Sequence, residues 1–216
     1  MPGAPRDPRA GGDPTDPRAG GDPTDPRAGG EAGATSPEPT GDDLRAVMRN
    51  WAAGVAVATT TAEGHDHAIT INSFTSVSLD PPLVLMCIGA ASRFGTPLRE
   101  SGLWGVSILP FEAADLATRL ATRGGPAGPV LDGVAHHRGV TGVPLLDDAL
   151  ATLECRTVAT YPGGDHDIVV GAVIATSVGP GNDRDVPAAA GEAGDDDPRG
   201  PLVSFRGRLR TSADRP

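Results

Sequence analysis

The 216-residue chain contains no lysine, and all 18 of its basic residues are arginine. That excludes Schiff-base chemistry, a lysine general base and the lysine of a phosphate-binding P-loop. Any phosphate held here is therefore held by arginine, hydroxyls or backbone N–H groups. No G-x-G-x-x-G follows a strand-like run, which argues against a Rossmann dinucleotide site. No G-x-S-x-G or isolated Ser/His/Asp set points to a hydrolase. His65 and His67 stand two apart, but no further cluster completes a metal site, and they read as solvated turn histidines. No basic patch is present to meet a phosphate backbone, so a nucleic-acid role is disfavoured. No apolar run approaches the length of a membrane span.

The only cysteines, Cys87 and Cys155, lie in apolar, strand-like surroundings with no secretory segment before them. Two buried thiols in a reducing compartment are expected, and a soluble, cytoplasmic protein. The net charge of -10 is concentrated in residues 1–40 and 182–199. What remains is too small to name a partner.

Residues 1–40 carry a nine-residue repeat, DPRAGGDPT, at 7–15 and 16–24, with a partial third copy from Asp25. It has almost nothing apolar to bury and is expected to be a disordered tail. A folded domain is expected over 41–212, interrupted by a flexible, acidic Gly/Ala/Asp-rich insertion at about 180–200. Leu44, Val47, Met48 and Trp51 fall on one face of a helix that Gly41 or Asp42 is expected to start and Gly54 to end. A strand over 55–61 then turns at 63–66 into the stretch that organises the rest.

That stretch, 68–88, reads AITINSFTSVSLDPPLVLMCI. Its first run alternates apolar residues with Thr70, Asn72, Ser76 and Ser78, and the register shifts near Ser73 and Phe74, which predicts a bend or bulge. After Pro81 and Pro82, residues 83–88 are apolar throughout, as in a strand covered on both faces. A ledge of hydroxyls and amides mounted on an apolar wall suits a flat ligand with scattered acceptors. Beyond it, Thr96 and Pro97 suggest the start of a short helix ending at Gly102. A strand is expected over 103–109, a helix over 111–122 with Leu116 and Leu120 inward, and a Gly/Pro loop over 123–129. Residues 133–143, with His136 and His137, read as irregular. Long strands are expected over 149–159 and 168–178, and a last strand over 202–208. Seven or so strands with few, short helices predict a closed or nearly closed barrel.

The segment TINSFTSVSLDPPLVLMCI, with Ser92, Arg93 and Phe94 beyond it, resembles the signature of the flavin reductase family with the FMN-binding split-barrel fold. Gly164-Asp165-His166 and the closing PLVSFRG at 201–207 fit the same family in the same order. The resemblance implies a mainly β split barrel of Greek-key type with a few short flanking helices. It also implies an NADH- or NADPH-dependent reductase of FMN or FAD, acting as a homodimer and supplying reduced flavin to a separate oxygenase. The alternatives are a flavoprotein that keeps its FMN and reduces another acceptor, and a flavin-binding barrel without turnover. By position in the family pattern, Thr70, Asn72, Ser73, Phe74, Thr75, Ser76 and Val77 are flavin contacts. Ser92, Arg93 and Phe94 mark the place of the flavin phosphate, to which an arginine fork beside a hydroxyl is suited. Asp165 and His166 lie where the nicotinamide docks, with His166 the candidate for orienting it or moving a proton. Phe205 and Arg206 match a strand bordering the site.

Overall fold

The structure, a computed structural model, describes residues 38–122, 129–179 and 200–211. The repeats, nearly all of the 123–129 loop and nearly all of the 180–200 insertion lie outside the described residues. From Gly41 onward the chain is mainly β. The helix α1 (Gly41–Met48) leads into β1 (Ala53–Gly54), β2 (Ala56–Ala62), β3 (His65–Ile71), β4 (Thr75–Leu79) and β5 (Pro82–Gly89). Then come α2 (Gly95–Ser101), β6 (Leu103–Ile108), a 3-10 turn at Phe111–Ala113 and α3 (Ala114–Ala121). The strands β7 (His136–Arg138), β8 (Pro144–Leu146), β9 (Ala151–Gly163), β10 (His166–Val178), β11 (Leu202–Phe205) and β12 (Arg208–Thr211) complete it.

Seven strands form one antiparallel sheet in the order β3-β2-β6-β9-β10-β5-β4. Its two edge strands, β3 and β4, are consecutive in the chain and joined by only Asn72, Ser73 and Phe74. Three residues reach about 10 Å at most, whereas seven strands laid flat spread over about 28 Å. The sheet must therefore curl until its edges nearly meet. One core cluster lines the inside of the curl, taking Ile71 from β3, Ala56 and Ala58 from β2, and Trp104 and Val106 from β6. Cys155 of β9, Val169 of β10 and Val84, Met86 and Ile88 of β5 belong to the same cluster. β3 and β4 are not paired with each other, so the barrel is split along that seam.

Residue size fits the curl. Trp104 is fully buried and its Nε1 donates to the Thr157 hydroxyl at 3.2 Å. A Cβ on Gly171 would sit 2.3 Å from the Trp104 ring, so only glycine lets β10 pass it. The outer side of β2 and β3 is covered by α3. Val55, Val57, Ala117, Leu120, Leu131 and Leu202 are among the members of that second core. Thr70 fastens it, its hydroxyl donating to the Ala117 carbonyl at 2.7 Å. Below, β7 and β8 are tied to the β2–β3 hairpin by Arg138, whose fork donates to both Asp66 oxygens at 2.7 and 2.8 Å.

Several sequence expectations change. The first helix ends at Met48 rather than Gly54, with the Asn50 amide donating back to the Ala46 carbonyl at 3.2 Å. Its apolar face is not buried within the chain, Val47 being 68% and Trp51 69% exposed. β5 is covered on one face, not both: Val84, Met86 and Ile88 are buried, while Leu83, Leu85 and Cys87 are half-exposed. The short helix starts at Gly95 with no side-chain cap at Phe94 before it, Thr96 lies inside it, and Gly102 ends it in the left-handed conformation. Residues 133–143 contain a true strand, β7. The long strands continue to Gly163 and resume at His166, leaving a two-residue turn. The last strand is instead a hairpin, turned at Arg206 and Gly207, both with positive φ. The bend expected near Ser73 is the break between β3 and β4, and a further register shift falls between Ser76 and Ser78.

Candidate functional site

The seam and the loops around it gather most of the residues singled out above. At the connector, Asn72 is exposed, and Phe74 is half-buried against the barrel core. Ser73 is not a free ligand. Its hydroxyl donates to the Cys87 carbonyl at 3.0 Å and accepts from the Cys87 N–H at 3.1 Å. Thr70 likewise spends its hydroxyl proton on α3, so what these positions offer a ligand is backbone. Thr75, Ser76 and Val77 follow on the exposed outer edge of β4.

Antiparallel pairing decides which backbone groups are free. The Leu109 N–H donates to the Val55 carbonyl, so Val55, Val57 and Thr59 face β6, and the alternate residues of β2 face β3. Thr59 stands opposite Ala68, and Val57 opposite Thr70. Asp66, Ala68 and Thr70 therefore direct their N–H and C=O groups away from β2, into the seam. Among the described residues no other backbone group bonds them. A row of unpaired donors and acceptors beside an apolar wall suits a heteroaromatic ring with alternating acceptors and donors.

The second wall is the loop after β5. Ser92 N–H donates to the Gly89 carbonyl at 2.8 Å, and the Ser92 hydroxyl accepts from the Phe94 N–H at 3.2 Å. This turn buries Phe94 and leaves Arg93 exposed. The β9–β10 turn rests on the same loop, with the Ala90 N–H donating to the Asp165 carbonyl at 2.9 Å. His166 pairs with Gly89 across the ladder. An ideal Cβ on Gly89 would find only His166 Nε2, at 3.9 Å, so open space lies beside that nitrogen. The His166 Nδ1 is 2.7 Å from Asp165 Oδ1. The imidazole beside Asp165 holds its carboxyl below the usual range, and Arg45 of α1 adds to this. With Nδ1 turned to Asp165, Nε2 is the ring nitrogen left for a ligand.

Phe205 and Arg206 are not brought to the seam. They belong to the small sheet β1-β11-β12, where the guanidinium lies 5.2 Å from the Phe205 ring centroid. The Arg206 N–H donates to the Arg49 carbonyl at 2.7 Å, which places this hairpin against the end of α1.

Three features escaped the sequence reading. Arg99 of α2 donates to Asp167, next to His166, at 3.3 Å, linking the Arg93 side of the site to the His166 side. Arg45, paired with Asp42 on α1, adds its charge to the field at Asp165 from far in sequence. His65 and His67 are strand residues, and with Arg93 and His136 they border a cleft of about 1080 Å³. Only strand order brings these together, and no local motif signals it.

A split, curled antiparallel sheet with an unpaired edge, an arginine turn on one side and an Asp-His turn on the other defines a nucleotide-binding split barrel. The chain belongs to the family described as the flavin reductase like domain, whose model matches residues 48–213. It is 41% identical over 152 residues to an NADH-dependent flavin reductase from Rhodococcus sp, covering 66% of this chain and 80% of that one. It is 35% identical over 194 residues to the NADH-dependent FMN reductase AsuE2 of Streptomyces nodosus subsp. asukaensis, covering 85% and 95%. Among solved structures it superposes on BorF, the flavin reductase component of a bacterial two-component tryptophan halogenase. The TM-score there is 0.68 at 35% identity, covering 82% of this chain and all of BorF.

Proposed function

We infer that the protein is an NADH-dependent flavin reductase whose flavin lies along the seam, and that it passes reduced flavin to a separate oxygenase. The carrying observation is the meeting of the Gly89–Arg93 loop with the Asp165–His166 turn at the mouth of the seam. The residues fit a flavin: backbone N–H and C=O groups on the β3 edge, an arginine for the phosphate, and open space at Gly89 where a side chain would intrude. When bound, the flavin supplies the hydride acceptor and the nicotinamide the donor.

The chain's own contribution is placement. Phe74 and the apolar barrel wall exclude water from one side of the seam. Arg93, exposed on the Ser92 turn, meets the phosphate as a fork of donors. His166, held by Asp165, orients the nicotinamide through Nε2 and brings the two rings into reach of each other. Arg99 and Asp167 keep the two walls in fixed relation.

The working form in this reading is a homodimer in the cytoplasm. Leu44, Val47 and Met48 on α1 and Trp51 just beyond it, with Val158 and Tyr161 on β9, leave apolar surface in solvent that a second copy would cover. Both cysteines are free, and burial, with Glu154 beside it, pushes the Cys155 thiol up to about 12, in keeping with a reducing compartment. Among the described residues no helix is long and apolar enough to cross a membrane.

The test is NADH and NADPH oxidation by purified protein with and without added FMN, FAD and riboflavin. Turnover that requires added flavin and prefers NADH is expected. A protein that binds flavin yet leaves both nicotinamides untouched would overturn the reductase reading.

A further inference from the structure

We propose that Arg49, Arg206 and Arg208 form an anion-gathering surface at the His166 end of the barrel, drawing phosphate-bearing reactants toward the seam without touching them once bound. This role rests on the flavin reading above. The chain carries a net charge of -10, and a phosphorylated flavin and a nicotinamide dinucleotide are both anions. The chain as a whole repels them, and local positive charge decides where they approach.

These three guanidinium groups are not spent on the fold. Arg45, Arg99 and Arg138 are paired with Asp42, Asp167 and Asp66. Arg49, Arg206 and Arg208 are exposed, and among the described residues none of them has an acidic partner. The Arg206 guanidinium lies 5.2 Å from the Phe205 ring centroid, a contact that directs it without neutralising it. Arg208 stands opposite Phe205 in the β11–β12 ladder and so shares its face. Leu202 and Leu209, on the other face, pack into the second core, so the arginine face points outward. Arg49 lies one turn beyond Arg45, its N–H donating to the Arg45 carbonyl at 3.1 Å. Both fall off the apolar face of Leu44, Val47 and Met48, and a second copy covering that face leaves them open.

Register places the surface beside the site. The Val55 N–H donates to the Leu202 carbonyl at 3.0 Å, and Ala56, next in β2, pairs with Ile71, the last residue before the connector. Across the connector, Ser73 is bonded to Cys87, two residues short of Gly89, the partner of His166. The small sheet, the connector and the Asp165–His166 turn therefore share one end of the barrel. The His166 bond, and with it the charge of Arg45, holds the Asp165 carboxyl low, so α1 is within electrostatic reach of that turn. Asp42 and Asp167 here are matched by arginines, and Asp43 and Asp165 are outnumbered by Arg49, Arg206 and Arg208. Charge acts over about 8 Å at physiological ionic strength, which is enough to guide an approaching phosphate without contact.

Stopped-flow association of FMN and of riboflavin with the full chain, at rising ionic strength, tests the surface. Replacing Arg49→Gln and Arg208→Gln together should lower the FMN on-rate about threefold to tenfold at low salt, with the gap closing as salt rises. The FMN off-rate and both riboflavin rates should be kept. Arg206→Asn, at a positive φ that asparagine accepts, should act the same way if the double variant does not fold. Arg156→Gln removes one charge from an exposed arginine of β9 that pairs with Ala172, about 20 Å along β10 from His166, and should change the FMN on-rate little. An FMN on-rate unchanged in the folded variants, or slowed as much by Arg156→Gln, overturns the surface alone. A loss carried by the off-rate makes these arginines contacts and overturns it too. A folded wild-type chain that binds neither flavin overturns the flavin reading with it.

Discussion

The Ser73 hydroxyl takes the place of a ladder residue opposite Cys87. Thr75 pairs with Leu85, so the next ladder position toward the connector would set Ser73 against Cys87. There the chain has already bent away, and the side chain makes both bonds that a backbone would have made. Ser73→Ala leaves the Cys87 N–H and C=O without these partners at the seam. A loss of about 1–2 kcal/mol is expected in urea unfolding, with flavin affinity falling because the seam shifts. Unchanged unfolding would show that water replaces the hydroxyl without cost.

Arg93→Ala should weaken FMN by about tenfold to a hundredfold, the worth of a charge-assisted bond to phosphate, and leave riboflavin nearly unaffected. Equal losses for both ligands in a fluorescence titration would remove Arg93 from the phosphate.

His166→Ala should raise the KM for NADH about tenfold with flavin affinity retained, consistent with one lost hydrogen bond of ~1.4 kcal/mol. Asp165→Asn should move the same parameter less, since an amide oxygen still accepts from Nδ1. Wild-type steady-state kinetics in His166→Ala would contradict the assignment.

Acid stability should depend on two carboxylates whose side chains are held by donors of the fold. Burial pushes the Glu154 carboxyl up, but the Thr141 hydroxyl and the Thr141 and Val140 N–H groups outweigh it and hold it below its usual value. Asp66 follows the same pattern, with burial opposed by Arg138 and Thr61. Both groups have folded values below their unfolded ones. Their stabilisation is therefore complete above the ordinary carboxylate range, near pH 4–4.5, and is lost as pH falls through the lower folded values. Glu154→Gln should destabilise the protein at neutral pH and flatten the decline below pH 4.5 in thermal melts. Gly139→Ala should mimic it, because a Cβ there would lie 2.3 Å from the Glu154 carboxylate.

Legibility in the sequence followed the range of the interaction. The alternation of β3 and the break at Ser73 were readable because strand period and its interruption are local. The single-faced burial of β5 was not, since an apolar run does not reveal what covers it. The helical spacing of Leu44, Val47 and Met48 predicted α1, yet the face it creates is unburied in one chain, and periodicity alone does not identify what a face meets. The hairpin at Arg206 was missed because a non-glycine residue takes the left-handed conformation there. Among site residues, Arg93, Asp165 and His166 were found through the family pattern. Asp66 and Ala68 contribute through backbone, where side-chain identity carries no signal, and Arg99 and Arg45 reach the site only through tertiary folding.

The three-residue link between β3 and β4 sets a rule about length. Asn72, Ser73 and Phe74 join the first and last strands of the curled sheet and also border the ligand edge. A substitution here alters one contact, such as that of Ser73 with Cys87, while the backbone still spans the gap. An added or deleted residue changes the circumference of the barrel and the reading frame of the edge together. Homologous chains should therefore agree in residue count at this point.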